Sequence, residues 1–439
     1  MTRRILPLTV NTILNEATWA FVREHAAADV RQLALRGCKD ASVDFAQALQ
    51  QIHGWQTARK KLPTWAATEG IVYPPHLNME QCSSEATARY KLRVAEGLPS
   101  AKHSATARRL VDLTGGLGVD FTFMSQAFDE AVYVEREPSL FDIARQNIAT
   151  LGLTHAKAVC ADGTDYLRQL DHATLIFIDP ARRDDHGGRT YGISDCTPNI
   201  LPLLDELLRK ADRVLVKLSP MLDWRKAMAD VGEEHVEQVH IVATGGECKE
   251  LLLMLSARGA QKPLLVCVND ESREVFEGDG VDGSDGLNGQ DGFNEPISPI
   301  KPIQPINPIT PIDPSRPITP APYLYEPNAA LMKAGVFARL AARYGVSELG
   351  PNSHLFTSEG LVEHFPGRTF RVVAVSTMNK RELKEKIAPL KQANITVRNF
   401  PLGVAELRKR LKLSEGGSHF LFATTLANGN HVLMVCQRV

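Results

Sequence analysis

From about residue 104 to 258 the sequence alternates between short apolar runs and amphipathic stretches, and that alternation leaves few folds open. The runs at 110–113, 131–134, 156–159, 175–178, 214–218, 238–243 and 251–256 read as strands. Strands and helices in strict alternation build a parallel sheet covered on both faces, an α/β architecture. The last two runs are joined only by Thr244-Gly-Gly-Glu-Cys-Lys-Glu250, too short for a helical crossover, so they are expected to pair antiparallel. A mostly parallel sheet that ends in an antiparallel hairpin is not the usual dinucleotide-binding arrangement.

The first strand runs into Asp112-Leu-Thr-Gly-Gly-Leu-Gly-Val-Asp120. Gly115, Gly116 and Gly118 permit the backbone angles and close ligand approach that a Cβ would block. A dinucleotide would bring a diphosphate to the N-terminus of the following helix. This turn lacks the third glycine of that fingerprint and sets Asp120 at the helix start, where a carboxylate repels a diphosphate but suits a cationic amino group. A plain helix-start acid favoured by the dipole is the competing reading. Glu135 ends the second strand, where an acid accepts hydrogen bonds from both ribose hydroxyls. Asp162, in Ala161-Asp-Gly163, is placed to accept from an adenine amino group, although alone it would be a turn residue. The strand Ile176-Phe-Ile178 delivers Asp179-Pro180 to the edge where open α/β sheets bind ligands. Arg182 and Arg183 follow and could pair with a phosphate, and Tyr191 lies in the glycine-rich loop after them.

With 439 residues, the chain is long enough for two to four domains. A formal charge of −1 advertises no partner by itself. The seven cysteines are scattered without a C-x-x-C pair, which argues against a disulfide framework and against a zinc or other metal site. Pro7, Asn11, Asn15 and Glu16 interrupt any signal-peptide core. No apolar run approaches the roughly 20 residues of a membrane helix, so the expectation is a cytoplasmic protein that uses no membrane.

Residues 1–100 read as a helical region, with apolar positions Trp19, Val22, Ala26, Val30 and Leu33, then a helix over 43–61 ending in Arg59-Lys-Lys61, and another capped by Ser83 or Ser84. The basic triplet complements a helix C-terminus, with a nucleic-acid backbone as the alternative partner. Between Asp270 and Glu295 nine acids face Arg273 alone, a charge of −8, and a Pro-Ile-x repeat follows. Residues 270–320 are therefore expected to form a disordered or semi-rigid linker. Beyond it come a helix over 329–344, then strand 369–375, helix 380–391, strand 395–399, helix 404–411 and a hairpin closed at Asn428-Gly429. From 361 to 439, thirteen basic residues against five acids leave +8.

With these pieces assembled, residues 100–258 resemble class I S-adenosylmethionine-dependent methyltransferases. Asp112-Leu-Thr-Gly-Gly-Leu-Gly118, Tyr133-Val-Glu135, Ala161-Asp-Gly163 and Asp179-Pro-Ala-Arg182 carry that resemblance. Outside them, Gln81-Cys-Ser-Ser-Glu-Ala-Thr-Ala-Arg-Tyr-Lys91 and Leu324-Tyr-Glu-Pro-Asn-Ala-Ala-Leu-Met-Lys-Ala-Gly335 are similar to a bacterial group in which ferredoxin-like and THUMP-like domains follow the core. The resemblance implies a seven-stranded Rossmann-like sheet with its last strand antiparallel, a helical N-terminal region (1–100) and a core at 101–262. It further implies a ferredoxin-like piece (321–360) and a small α+β THUMP-like domain (361–439). It assigns S-adenosylmethionine as cofactor, with Gly115, Gly116, Gly118, Glu135 and Asp162 holding it and Asp179 and Pro180 at the catalytic centre; beside these, Asp112 and Asp120 are expected cofactor contacts and Arg182, Arg183 and Tyr191 expected substrate contacts. THUMP-like domains imply an RNA partner, tRNA or rRNA. A small molecule or protein substrate, and a non-catalytic scaffold, are the competing readings. Amino-group methyltransferases of nucleic acids follow Asp/Asn-Pro-Pro with an aromatic residue that stacks on the base. Here Ala181-Arg182 stands there, leaving Tyr191 or Trp65 as candidate replacements.

Overall fold

The computed structural model describes residues 13–98, 107–182, 192–277 and 320–439. They form two compact units: 13–244 with 249–265 and 276–277, and 245–248 with 266–275 and 320–439.

The first unit opens with helices α1 (Glu16–His25), α2 (Val30–Arg36), α3 (Phe45–Lys61), α4 (Pro63–Ala66), α5 (His76–Gln81) and α6 (Glu85–Glu96). Asn15, Asp29, Asp44 and Ser84 accept from the first free backbone N–H groups of α1, α2, α3 and α6, the contribution that N-caps make at helix starts. Lys61 closes the basic triplet by donating to the Met79 and Glu80 carbonyls at 2.9 and 2.6 Å, and Arg59 lies over the Trp55 ring. Two of the three cations thus have intramolecular partners.

The strands that follow are β1 (Arg109–Asp112), β2 (Glu130–Glu135), β3 (Ala156–Cys160), β4 (Ala173–Ile178), the short β5 (Ala181–Arg182) and β6 (Cys196–Thr197), then β7 (Ala211–Leu218), β8 (Val236–Thr244), β9 (Glu247–Leu255), β10 (Leu264–Asn269) and β11 (Ser272–Glu277). Between them run α7 (Val119–Met124), α8 (Pro138–Thr150), α9 (Gly163–Gln169), α10 (Leu204–Lys210) and α11 (Trp224–Val231). The sheet order is β11-β10-β8-β9-β7-β4-β1-β2-β3. Strands β3, β2, β1, β4 and β7 are parallel, and β9 inserts beside β7 antiparallel. All seven expected strands are present, but the sheet has nine.

Strands β10 and β11 were hidden by composition, because the acidic run begins at their turn. Asp270 takes a positive φ of 53° and its carboxylate accepts from Gly245 N, while Phe276 is buried. Residues 270–277 are therefore a hairpin rather than the start of a linker. The rest of the expected linker, 278–319, lies outside the described residues.

In the second unit β12 (Tyr323–Pro327), α12 (Ala329–Ala334), α13 (Phe337–Tyr344), β13 (Ser347–Glu348) and β14 (Phe356–Ser358) precede β15 (Gly367–Ser376). Then come α14 (Lys380–Glu382) with a wider helical turn to Ile387, β16 (Asn394–Arg398), α15 (Val404–Leu411), β17 (His419–Thr425) and β18 (His431–Arg438). The expected helix at 329–344 is two helices, broken where Gly335 takes a left-handed φ of 70°. That at 380–391 ends early, because Pro389 has no N–H to continue it. All seven strands join one sheet, β13-β14-β12-β15-β18-β17-β16. The stretches expected to be ferredoxin-like and THUMP-like meet within it along the β12–β15 ladder.

The helical region is fastened to the core of the first unit by buried Asn147 of α8, whose side chain accepts from Val72 N and donates to Val72 O, both at 2.8 Å. Asn147→Ala leaves both backbone groups unpaired in the interior, at a cost of about 2–4 kcal/mol. Urea denaturation is expected to show the midpoint falling with an unchanged slope.

Candidate active site

Parallel strands bring their carboxyl ends to one edge, and β1, β2, β4 and β7 open there on a cavity of about 940 Å³. Its lining includes Asp112, Gly115, Gly116, Gly118, Asp120, Glu135, Asp162, Asp179, Pro180 and Lys217. The cavity is within the range of small-molecule and cofactor sites.

The glycine turn is held from two sides. A Cβ on Gly115 would fall 2.1 Å from the Tyr133 ring, so only glycine lets β2 pack so close. Gly118 takes φ 81° as it enters α7. Glu135 clamps the turn: Oε2 accepts from Gly116 N and Oε1 from Glu137 N, both at 2.7 Å. Asp162 caps α9 through Oδ1, which accepts from Thr164 N at 2.8 Å. Those bonds, led by the Thr164 hydroxyl, hold its carboxyl below the usual range despite partial burial. Among the described residues its Oδ2 accepts no hydrogen bond. Asp112 is fully enclosed and accepts from Thr114 N at 3.0 Å. Desolvation raises its carboxyl well above the usual range; the Thr114 bond opposes this, and Asp120, Asp179 and Glu135 add to it.

Beside this cradle is a charge cluster that sequence reasoning missed. Lys217 Nζ donates to Asp179 Oδ2 at 2.6 Å and lies 3.4 Å from Asp120 Oδ2. Lys91 of α6, with 0% side-chain exposure, pairs with Glu250 at 2.5 Å and with Asp120 at 3.1 Å. Ser83 donates to Asp120 Oδ2 at 2.8 Å. Burial alone would lower the Lys217 ammonium, but Asp179, Asp120 and Glu250 outweigh it and raise it well above its ordinary value. Glu250 reaches this edge because β9 runs antiparallel: the register sets Leu218 opposite Leu251, so the residue before Leu251 lies at the carboxyl end of β7. A signal was present, since a lysine in the apolar strand Val214-Leu-Val-Lys-Leu218 needs a buried partner.

Asp120, expected to face the cofactor, lines the cavity and is also tied into the protein. Its carboxylate is engaged by Lys91, Ser83 and Lys217; burial raises its carboxyl, but Lys91, Lys217 and the Ser83 bond outweigh that and leave it below the usual range. Trp65 is 1% exposed in the helical core and has no face to offer a base. The Arg182 backbone lies in β5, paired with Cys196 of β6; its side chain, Arg183 and Tyr191 lie outside the described residues. Among the described residues no three His, Cys, Asp or Glu side chains are grouped to hold a metal, and no helix is long and apolar enough to cross a membrane.

Comparison with known proteins decides the family. A crystal structure of a protein from Porphyromonas gingivalis W83 classed as a methyltransferase is 31% identical, covers 97% of this chain and 99% of its own, and superposes with a TM-score of 0.77. The chain belongs to the class I S-adenosylmethionine-dependent methyltransferases with C-terminal ferredoxin-like and THUMP-like domains. Two curated relatives, from Mycobacterium tuberculosis strains CDC 1551 / Oshkosh and ATCC 25618 / H37Rv, are each 26% identical over 331 residues. That match spans 73% of this chain and 79% of theirs, and both are named uncharacterized S-adenosylmethionine-dependent methyltransferases. Residues 323–366 match a ferredoxin-like domain and 367–438 a THUMP-like domain.

In this methyltransferase the Lys91–Glu250 pair fixes α6 to the sheet. Glu250→Gln leaves Lys91 with Asp120 alone and removes a buried countercharge, at a cost of about 3–5 kcal/mol. Thermal unfolding is expected to shift to lower temperature, and replacing both partners by methionine should recover part of the loss.

Proposed function

We propose that this enzyme methylates RNA, tRNA or rRNA, with the C-terminal unit binding the RNA backbone and the glycine turn holding the donor. The observation that carries the RNA reading is the distribution of charge on the helical face of the second sheet. The turn ending at Ile387 and α15 both pack on the core of Leu407, Leu413, Leu421, Ala423, Leu433 and Val435. Their ends meet where Ser414 N donates to Lys391 O. Lys380, Arg381, Lys384, Lys391, Lys409, Arg410 and Lys412 are exposed around them, against exposed Glu385, Glu406 and Glu415. Other cations of the unit have internal partners: Arg368 and Arg398 bind Glu326, Lys386 donates to Val375 O, and Arg408 donates to Ala393 O. A field of exposed cations on short helices matches a phosphate backbone.

The cradle fits the donor on three observations: the close approach that Gly115 allows, a carboxylate at the end of β2, and the uncommitted Asp162 Oδ2. In this proposal Asp112, Gly115, Gly116, Gly118, Glu135 and Asp162 hold S-adenosylmethionine. Glu135 receives the ribose hydroxyls, and Asp162 Oδ2 receives the adenine amino group. When bound, the cofactor supplies a methyl group activated on a sulfonium. Asp179 accepts a hydrogen bond from the acceptor's N–H or O–H and turns its lone pair toward that methyl group, so that catalysis is mainly alignment. Pro180 shapes the loop behind it. Arg182, Arg183 and Tyr191 remain proposed substrate contacts on sequence grounds, and Asp120 supports the site through the lysines.

Glu135→Ala is expected to weaken adenosylhomocysteine binding by about 10- to 100-fold in calorimetry. Asp179→Ala should stop methyl transfer and leave that binding nearly intact.

Deleting residues 361–439 would strip β15 from β12, so charge reversal is the cleaner test of RNA binding. The triple variant K409E/R410E/K412E is expected to lower the affinity for bulk tRNA by at least about tenfold and to flatten its salt dependence. Fluorescence anisotropy across a salt series measures both. Unchanged affinity and slope would remove this face from the interface and favour a small-molecule or protein substrate.

A further inference from the structure

The reading above gives Lys217 no part in methyl transfer, yet among the described residues it is the cation in direct contact with Asp179. We propose that Lys217 is a positioning residue for methyl transfer: by donating to Asp179 Oδ2 it fixes the carboxylate and leaves Oδ1 as the atom that receives the acceptor group. This inference rests on the reading of Asp179 as the group that touches substrate.

The geometry allows one arrangement. Asp179 N donates to the Thr114 hydroxyl at 2.7 Å, which anchors the backbone of the loop to β1. Lys217 Nζ holds Oδ2 at 2.6 Å, which stops rotation of the side chain. Among the described residues Oδ1 accepts no hydrogen bond, and the Asp179 side chain is 38% exposed toward the cavity. Lys217 is itself held, since Asp120 lies on its other side and Lys91 and Glu250 lie behind Asp120.

A lysine between two carboxylates stays protonated, so it cannot take a proton from the acceptor. Its contribution is a fixed positive charge beside Asp179. The charged and titratable groups around this pair are Asp112 at the end of β1, Asp120 of α7, Lys91 of α6, Glu250 of β9, and Cys82 with Lys61 near Asp120 and Lys217. Burial, with the neighbouring Asp120, Asp179 and Glu135, raises the Asp112 carboxyl well above the usual range. Lys217 therefore holds the Asp179 carboxylate by a charge-assisted hydrogen bond.

The test follows transfer of tritiated methyl groups from S-adenosylmethionine to total RNA from cells lacking this gene, with binding of adenosylhomocysteine measured on the same full-length proteins. In Lys217→Met, kcat is expected to fall by at least about tenfold, the scale of a misaligned reacting group, while binding changes less than about threefold. Lys217→Arg should restore most of the rate. Because Lys217→Met also strips a countercharge from Asp120, the double variant K217M/D120N removes the same cation without leaving that second carboxylate bare, and it should show the same loss. A lysine that acts through Asp179 adds nothing once that carboxylate is gone, so D179N/K217M should be no slower than D179N. An unchanged kcat in both methionine variants, or a further loss in D179N/K217M, overturns the proposal. If the wild-type enzyme labels no RNA, the RNA reading fails, and the carbon-13 signal of the Asp179 carboxyl, assigned with Asp179→Asn, still decides the role of Lys217. It should move in Lys217→Met and return in Lys217→Arg, and a signal that stays in place overturns the proposal.

Discussion

Moving a carboxylate or an ammonium group out of water costs several kcal/mol unless partners surround it, and the first unit gathers five such groups at one edge of its sheet. Lys91 and Lys217 alternate with Glu250, Asp120 and Asp179, each cation touching two anions. The members come from α6, β7, β9, α7 and the end of β4, so no element can shift without stranding a charge on another. The cluster has a formal charge of −1, from three carboxylates against two ammonium groups. For a site that handles a positively charged donor, that sign is favourable.

The same cluster explains why the N-terminal helices belong to the catalytic unit. The stretch Gln81-Cys-Ser-Ser-Glu-Ala-Thr-Ala-Arg-Tyr-Lys91 distributes its polar residues over separate tasks. Ser83 reaches Asp120, Ser84 caps α6, and Glu85 accepts from Thr64 and Arg89. Tyr90 hydrogen-bonds His240 on β8 at 2.7 Å, and Lys91 enters the cluster. One helix thus fastens the helical region, the antiparallel end of the sheet and the site together. The antiparallel strand is essential to this, because a parallel one would carry Glu250 to the opposite edge.

Much of the fold was legible because it follows from periodicity that needs no partner. Strands such as 131–134 and 175–178 are apolar runs that must be buried on both faces, and the Gly245-Gly246 connection between β8 and β9 leaves room only for a hairpin. Composition misled where one property hid another. The acids after Asp270 suggested solvated chain, although Asp270 is a turn residue and Glu274 pairs with Arg343 at 2.6 Å. The residues expected at the site could be picked out locally, because Gly115 follows the end of β1 and Glu135 ends β2. The charge cluster was not, because its members are 29 to 159 positions apart from Lys91 and meet only through strand order. Lys217 is a charge in an apolar strand, a signal that went unread, and nothing local names Asp179 as its partner.

The departure from the Pro-aromatic pattern acquires a physical meaning at the loop after β4. Ala181 and Arg182 form a two-residue ladder with Thr197 and Cys196, which ties the backbone after Asp179-Pro180 to the cavity wall. The wall at that point is built from Pro180, Ala181, Cys196, Thr197 and Pro198. Among the described residues that line the cavity, Phe177 is the one aromatic, and it is buried within β4. A ring that enters there meets small, mostly flat surfaces in place of an aromatic plate, which forfeits the roughly 1–3 kcal/mol that stacking gives per base. If Asp179 receives the acceptor as proposed, selection falls on its carboxylate, and a site built to hydrogen-bond a donor rejects partners without one more strongly than a site built on shape. Under the proposed role of Asp179, the described part of the wall favours recognition of an N–H or O–H group over stacking on a ring.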